Sequence, residues 1–248
     1  MASKLSDHIA LLAKIKPNRY KIQRAENIIR RAIAKDGNWS LSFSGGKDST
    51  VMLDLVRKQA SEIDIIWFDD GWDYPETLIF IDAIQAQIER QIFHVPFPIT
   101  SRFWKKEIAY GGDNPEFDHI GNISYKEWRG SYNGSFIGMR KEESTIRYLT
   151  FQKRGPLYFH KELKHWHCCP LYDWTYQDIW GYIGVNNLAY NPAYDRLFSL
   201  GIPLEMLRVG PLTAWMVWQY GALATLKRGW PDLFNRFVEK FPEARSYT

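Results

Sequence analysis

Residues Leu41-Ser42-Phe43-Ser44-Gly45-Gly46-Lys47-Asp48-Ser49-Thr50 carry an abrupt change of period. From Trp39 to Phe43 bulky residues alternate with small polar ones, as in a buried strand. Beyond the glycines, Val51, Met52, Leu53, Leu55 and Val56 recur at helical spacing. Ser44-Gly45-Gly46 lies between, with no side-chain bulk over the turn. A second strand and helix, then a third strand, follow. Ile63–Phe68 has strand length, Tyr74-Pro75-Glu76-Thr77 opens a helix that continues through Ile79, Ile81, Ile84 and Ile88, and Gln91–Val95 is a third strand. Such alternation implies parallel strands joined by crossover helices, an α/β fold.

In these sheets ligands sit beyond the carboxyl ends of the strands. The Ser-Gly-Gly loop and Asp69-Asp70-Gly71 both fall at such ends. Glycines let the backbone approach a ligand closely. The first amides of the next helix lack partners and favour an anion. Lys47 adds a charge, and Ser42, Ser44, Ser49 and Thr50 add hydroxyls. The predicted guest is a phosphate or pyrophosphate group; the bland alternative is a loop that only joins strand to helix. The loop is not a Walker A motif, because Lys47 is followed by Asp48 where that motif needs Ser or Thr.

The rest of the chain divides into an N-terminal helical segment (1–37), the α/β unit (38–210) and a helical extension (211–248). Pro17 breaks the first segment, whose Lys14, Lys16, Arg19, Lys21, Arg24, Arg30, Arg31 and Lys35 form either a solvated face or a nucleic-acid surface. Residues 99–135 read as an aromatic, glycine-rich insertion, 136–140 as a strand and 157–172 as a hairpin. Trp174–Val185 reads as a helix capped by Asp173 or Thr175. Leu212–Leu226 and Pro231–Phe241 read as amphipathic helices.

The formal charge of +4 suits an anionic substrate and admits DNA as a partner. No apolar run approaches the roughly 18 residues of a membrane span, so a soluble, cytoplasmic protein is expected. The two cysteines, Cys168 and Cys169, are adjacent. They form no disulfide framework and fall short of the four thiolates usual for an iron–sulfur cluster, so none is expected.

Ser44–Ser49 resembles, at every position, the Ser-Gly-Gly-X-Asp-Ser PP-loop of the adenine-nucleotide α-hydrolase superfamily. Phe68-Asp69-Asp70-Gly71 with Tyr74-Pro75-Glu76-Thr77 resembles a segment of phosphoadenosine phosphosulfate (PAPS) reductases. So do Gly138-Met139-Arg140-Lys141-Glu142-Glu143-Ser144 with Arg147, and Pro170-Leu171-Tyr172-Asp173-Trp174-Thr175 with Tyr190-Asn191-Pro192. The resemblance implies a Rossmann-like, HUP-type parallel sheet with helices on both faces and a helical C-terminal portion. It implies an adenine nucleotide, ATP or PAPS, with its phosphates on the loop and on Gly138, Arg140 and Arg147. Asp69 and Asp70 would accept from ribose or adenine, and Glu142 or Glu143 would orient an arginine. Asp48 is the candidate Mg²⁺ ligand, or else a carboxylate that complements the helix dipole. Arg208 is a further anion contact.

The family's reductases use a Glu-Cys-Gly cysteine near the C-terminus, and Lys240–Thr248 has none. The sequence therefore favours the ATP pyrophosphatases similar to those of DNA phosphorothioation, with Lys47, Asp48 and Arg140 as catalytic groups. Cys168 or Cys169 would relay sulfur from a cysteine desulfurase or another donor, or else form an inert pair. Alternatives are PAPS reduction, adenylylsulfate synthesis, and a nucleotide-sensing or nucleic-acid-binding regulator. A homodimer is expected from the resemblance alone.

Overall fold

The computed structural model describes residues 4–15, 18–96, 100–101, 106–107, 121–122, 125–210, 212 and 221–248. Its centre is a sheet in the order β6-β3-β2-β1-β7-β9-β8. The strands that matter to the site are β1 (Trp39–Ser42), β2 (Asp64–Asp69), β3 (Ile92–Pro96), β7 (Gly134–Phe136), β8 (Leu157–His160) and β9 (His165–Cys168). β4 (Thr100–Ser101) and β5 (Lys106–Glu107) pair separately, and β6 (Gly121–Asn122) edges the main sheet. Every pairing from β6 to β9 is parallel, while β8 joins β9 antiparallel, with Leu157 opposite Cys168. This is the mainly parallel α/β sheet, with helices on both faces, that the alternating periods implied.

The helices are α1 (Leu5–Ile15), α2 (Arg19–Ile33), α3 (Lys47–Arg57), α4 (Pro75–Gln87), α5 (Tyr125–Ser131), α6 (Thr145–Arg154), α7 (Tyr176–Val185), α8 (Ala193–Ser199), α9 (Ala222–Gly229) and α10 (Pro231–Lys240). Leu5 and Ile9 from α1, Ile29 from α2, Leu41 and Phe43 around β1, Trp180 from α7 and Phe237 from α10 belong to one buried cluster. The end segments thus share the core of the central unit. Lys21 and Arg24 on α2 pair with Asp178 and Asp173, both at 2.5 Å, so part of the basic face points into the protein. Among the described residues no helix is long and apolar enough to cross a membrane.

Several boundaries differ from expectation. The strand expected over 136–140 is Gly134–Phe136. Ile137 makes one more bond, to the Cys168 carbonyl at 2.8 Å, and the chain then turns toward α3. α7 is capped by Thr175 alone: its hydroxyl accepts from the Asp178 amide at 3.3 Å, and Asp178 accepts from the Thr175 amide at 2.7 Å. This is the reciprocal capping box. Asp173 pairs with Arg24 instead. Most of the insertion expected over 99–135, and residues 213–220 of the helix expected from Leu212, lie outside the described residues.

Removing the capping hydroxyl with Thr175→Ala should cost about 1 kcal/mol and lower Tm by roughly 2–4 °C. A thermal melt that left Tm unchanged would contradict the cap.

Candidate nucleotide-binding site

The chain leaves β1 toward β2 and β3 on one side and later returns to place β7 on the other. The strand order therefore reverses at β1, the place where open α/β sheets form a ligand crevice. The Ser44–Gly46 turn follows β1 and the Ile137–Arg140 turn follows β7, so the two flank that crevice.

Gly45 has φ +66°, a left-handed conformation that glycine adopts without the Cβ penalty. α3 begins at Lys47, and Thr50 is the first amide bonded back into the turn, to Gly46 O at 2.9 Å. The Lys47 amide donates to Tyr194 Oη at 2.9 Å, and the Ser44 amide to Ser49 Oγ at 3.2 Å. Among the described residues the amides of Gly45, Gly46, Asp48 and Ser49 donate to no protein acceptor. They form an open cradle at the positive end of a helix.

The hydroxyls divide. Ser49 Oγ and Thr50 Oγ1 both donate to the Gly46 carbonyl, at 2.9 and 3.0 Å, and so shape the turn. Ser44 is exposed, and Ser42 is half-buried at the end of β1. Gly138 packs directly on the start of α3: a Cβ there would stand 3.2 Å from the Asp48 and Ser49 backbone.

Lys47 is buried, with Nζ 2.9 Å from Asp48 Oδ2 and 3.1 Å from the Leu207 carbonyl. Burial lowers its pKa, and Asp48 only partly opposes this. Burial alone would raise the Asp48 pKa, but Lys47 and Arg140 outweigh it and hold the carboxyl below its usual range. Arg140 is also buried. It meets Asp48 Oδ1 through Nε at 2.5 Å and pairs with Glu142 and Glu143. Its fork is thus occupied by carboxylates, which corrects the expectation that Arg140 clamps phosphate directly.

Arg147 pairs with Glu143 and is 38% exposed, so it can exchange that carboxylate for a ligand anion. Burial lowers its pKa first, and the nearby Arg208 and Arg140 add to that. Arg208 also bears on Lys47. Lys47, Arg140, Arg147 and Arg208 therefore make one cationic group beside the cradle.

Both oxygens of Asp48 are taken by cations, and no three metal-ligating side chains converge among the described residues. As placed, Asp48 does not fit the role of a Mg²⁺ ligand. Cys168 and Cys169 are fully buried. Burial raises both thiols, Cys169 to about 12. A relay needs an accessible thiolate, so the sulfur-relay role expected of either cysteine is corrected.

Asp69 and Asp70 sit at the end of β2. Asp69 Oδ1 accepts from the Gly71 amide at 2.7 Å and Oδ2 meets His94 at 2.9 Å, while Asp70 Oδ1 accepts from the Trp72 amide at 3.0 Å. Asp73, which the sequence did not single out, joins them. Burial, then Asp70 and Asp69, push its carboxyl well above the usual range. The folded state then holds a proton that the unfolded chain releases near pH 4, so Asp73 subtracts stability increasingly as pH rises from there. Asp73→Asn keeps an acceptor for Trp67 Nε1, now 3.3 Å away. It should raise Tm at neutral pH, with the gain vanishing below about pH 4. An equal or lower Tm at pH 7 would refute this.

The chain is similar to several known proteins in sequence and in fold. The model of the phosphoadenosine phosphosulfate reductase domain matches residues 38–201. A phosphoadenosine 5'-phosphosulfate reductase of Xanthomonas axonopodis pv. citri is 30% identical over 175 residues, 64% of this chain and 67% of the relative. An uncharacterized protein of Methanocaldococcus jannaschii is 23% identical over 91% of this chain, which spans only 54% of that relative. In fold, the chain is similar to the PAPS reductase of Candida auris in its phosphate complex. That likeness has a TM-score of 0.50 and 20% identity, over 86% of this chain and 98% of the other. It is also similar to the Candida glabrata FMN adenylyltransferase in complex with FAD and inorganic pyrophosphate. There the TM-score is 0.52 and the identity 14%, over 76% and 67%. With the match covering most of its length, the chain belongs to the phosphoadenosine phosphosulfate reductase domain family.

Proposed function

We propose that the chain is an ATP pyrophosphatase that cleaves between the α- and β-phosphates and adenylates an acceptor for sulfur transfer. The observation that carries this reading is the open amide cradle of Gly45, Gly46, Asp48 and Ser49 beside Lys47, Arg147 and Arg208. Such a site suits a group with several phosphate charges.

In the reaction an acceptor oxygen bonds to the α-phosphorus. The bond from that phosphorus to the bridging oxygen breaks, and pyrophosphate leaves with the electron pair. In this reading the cradle amides and Lys47 take up that charge, and so stabilise the leaving group more than the substrate. Arg140 acts one step back, fixing Asp48 and through it the Lys47 ammonium. In this reading Asp69 and Asp70, at the neighbouring strand end, take the nucleoside. In this proposal the acceptor is a DNA phosphate oxygen, with sulfur delivered by a persulfide donor such as a cysteine desulfurase, to a homodimer in the cytoplasm.

Incubation with α-labelled ATP and Mg²⁺, with and without DNA, should yield AMP or adenylylated DNA together with pyrophosphate. Absence of all these products would count decisively against the reading. Mass spectrometry of DNA from cells with and without the gene then tests the acceptor, through phosphorothioate linkages.

The 30% identity to a PAPS reductase favours a second reading, reductive release of sulfite from PAPS. Sulfite release in the presence of thioredoxin, lost in Cys169→Ser, would put that reading first. The burial of both thiols argues for the outcome in which Cys169→Ser changes nothing.

A further inference from the structure

The peptide between Gly45 and Gly46 is free to face either way at little steric cost, because neither residue carries a Cβ. Its direction decides whether an anion meets an N–H or a carbonyl oxygen. In the structure the Gly45 carbonyl accepts from Asn191 Nδ2 at 3.2 Å. Asn191 is fully buried and fixed from two other sides. Nδ2 also donates to Thr77 Oγ1 at 2.8 Å, and Oδ1 accepts from the Ala193 amide at 3.0 Å. Three residues on, Tyr194 Oη accepts from the Lys47 amide at 2.9 Å, so residues 191–194 hold the loop at two points.

A trans peptide is planar, with its C=O and N–H on opposite sides. With the Gly45 carbonyl held against Asn191, the Gly46 amide is turned the other way. There it has no protein acceptor among the described residues. Were the peptide reversed, the carbonyl dipole would face an incoming phosphate and repel it.

We infer that Asn191 is a positioning residue of the loop, one that sets the Gly45–Gly46 peptide in its anion-accepting orientation and thereby selects ligands carrying a pyrophosphate group. The inference rests on the phosphate-loop reading above and adds the group that orients it.

Asn191→Asp tests it cleanly. The variant keeps the size of the side chain and its bond to the Ala193 amide, and the Thr77 hydroxyl turns to donate to it. An ionised carboxylate has no hydrogen for the Gly45 carbonyl; because burial favours the protonated acid, which keeps one, the titrations are run at about pH 9. Calorimetric titration with inorganic pyrophosphate and with adenosine should show pyrophosphate binding weakened about 30-fold and adenosine binding unchanged. Undiminished pyrophosphate binding in the variant overturns the inference, and so does an equal loss of both ligands, which marks general damage to the fold. If the unsubstituted chain binds no pyrophosphate, the loop reading falls and takes this inference with it. Thr77→Val removes one support of Asn191 and should weaken pyrophosphate alone by a few-fold. Should Asn191→Asp not fold, this second variant decides, and no change in it overturns the inference.

Discussion

Arg140→Met is expected to destabilise the fold by about 3–5 kcal/mol, the range for breaking a buried ion pair by removing one partner. The side chain is 2% exposed and meets three carboxylates, of Asp48, Glu142 and Glu143. Methionine fills much of the volume, so the loss is electrostatic rather than a cavity. Of its cationic partners among the described residues Asp48 would keep Lys47, and Glu143 would keep Arg147 together with the backbone amide of residue 140. At roughly 2–4 °C per kcal/mol, Tm should fall by about 10 °C. The pH dependence separates this cause from loss of packing. The depressed Asp48 pKa contributes stability above its unfolded value near 3.9, and that stability is lost as pH falls through the folded value. The gap between variant and parent should therefore be full at neutral pH and narrow below about pH 4. A gap that stays constant down to pH 3 would mean that Arg140 acts through packing alone. Arg140→Lys keeps the charge without the fork and should fall between the two.

Arg140 also shows where the sequence stops being legible. The family resemblance put it near the phosphates, but the sequence read it as the end of a strand over 136–140, whereas it lies in the turn after β7. Its partner Asp48 lies 92 residues away in sequence, and no local pattern foretells which anion a guanidinium will meet. The glycine turn was readable because its determinants are contiguous: Gly45 supplies the positive φ and α3 supplies the amides. The same holds for the β8–β9 hairpin and for the strands flanked by glycine or proline. Asn191 and Tyr194, which hold the turn, are separated from it by 146 and 147 residues. Of these two, only Asn191 stood in a segment the sequence marked, and neither was given a role. Cys168 and Cys169 looked chemical as an adjacent pair. Pairing of β9 between β7 and β8 buries Cys168, and Cys169 just beyond it packs with Phe151 and Tyr158, a consequence of the fold rather than of neighbours in sequence. The helices α6 and α8 were missed: α8 has seven residues, and α6 buries only Phe151, so neither shows a periodic apolar stripe.

Gly45→Val should lower affinity for inorganic pyrophosphate by at least about 100-fold, a loss of roughly 2.7 kcal/mol. Two effects combine. A left-handed φ costs a residue with a Cβ about 1–2 kcal/mol, and branching at Cβ adds to it. The new Cβ would also stand 3.1 Å from Thr77 Cγ2 and 3.4 Å from Ile81 Cγ1, both on the buried side of the turn. Relief of either strain swings the backbone toward negative φ, and the amides of Gly46 and Asp48 turn with it. Gly201→Val is the matched control. Gly201 also has positive φ, at +86°, but a Cβ there meets nothing within 4 Å, and the residue is exposed. Both variants should lose about 1–2 kcal/mol of stability from backbone strain, while only Gly45→Val should lose the ligand. Equal affinity in the two would show that the anion is held by side-chain cations, with the turn as mere scaffold. A selective loss at Gly45 would locate the grip in the backbone itself, because no side chain is removed by the substitution.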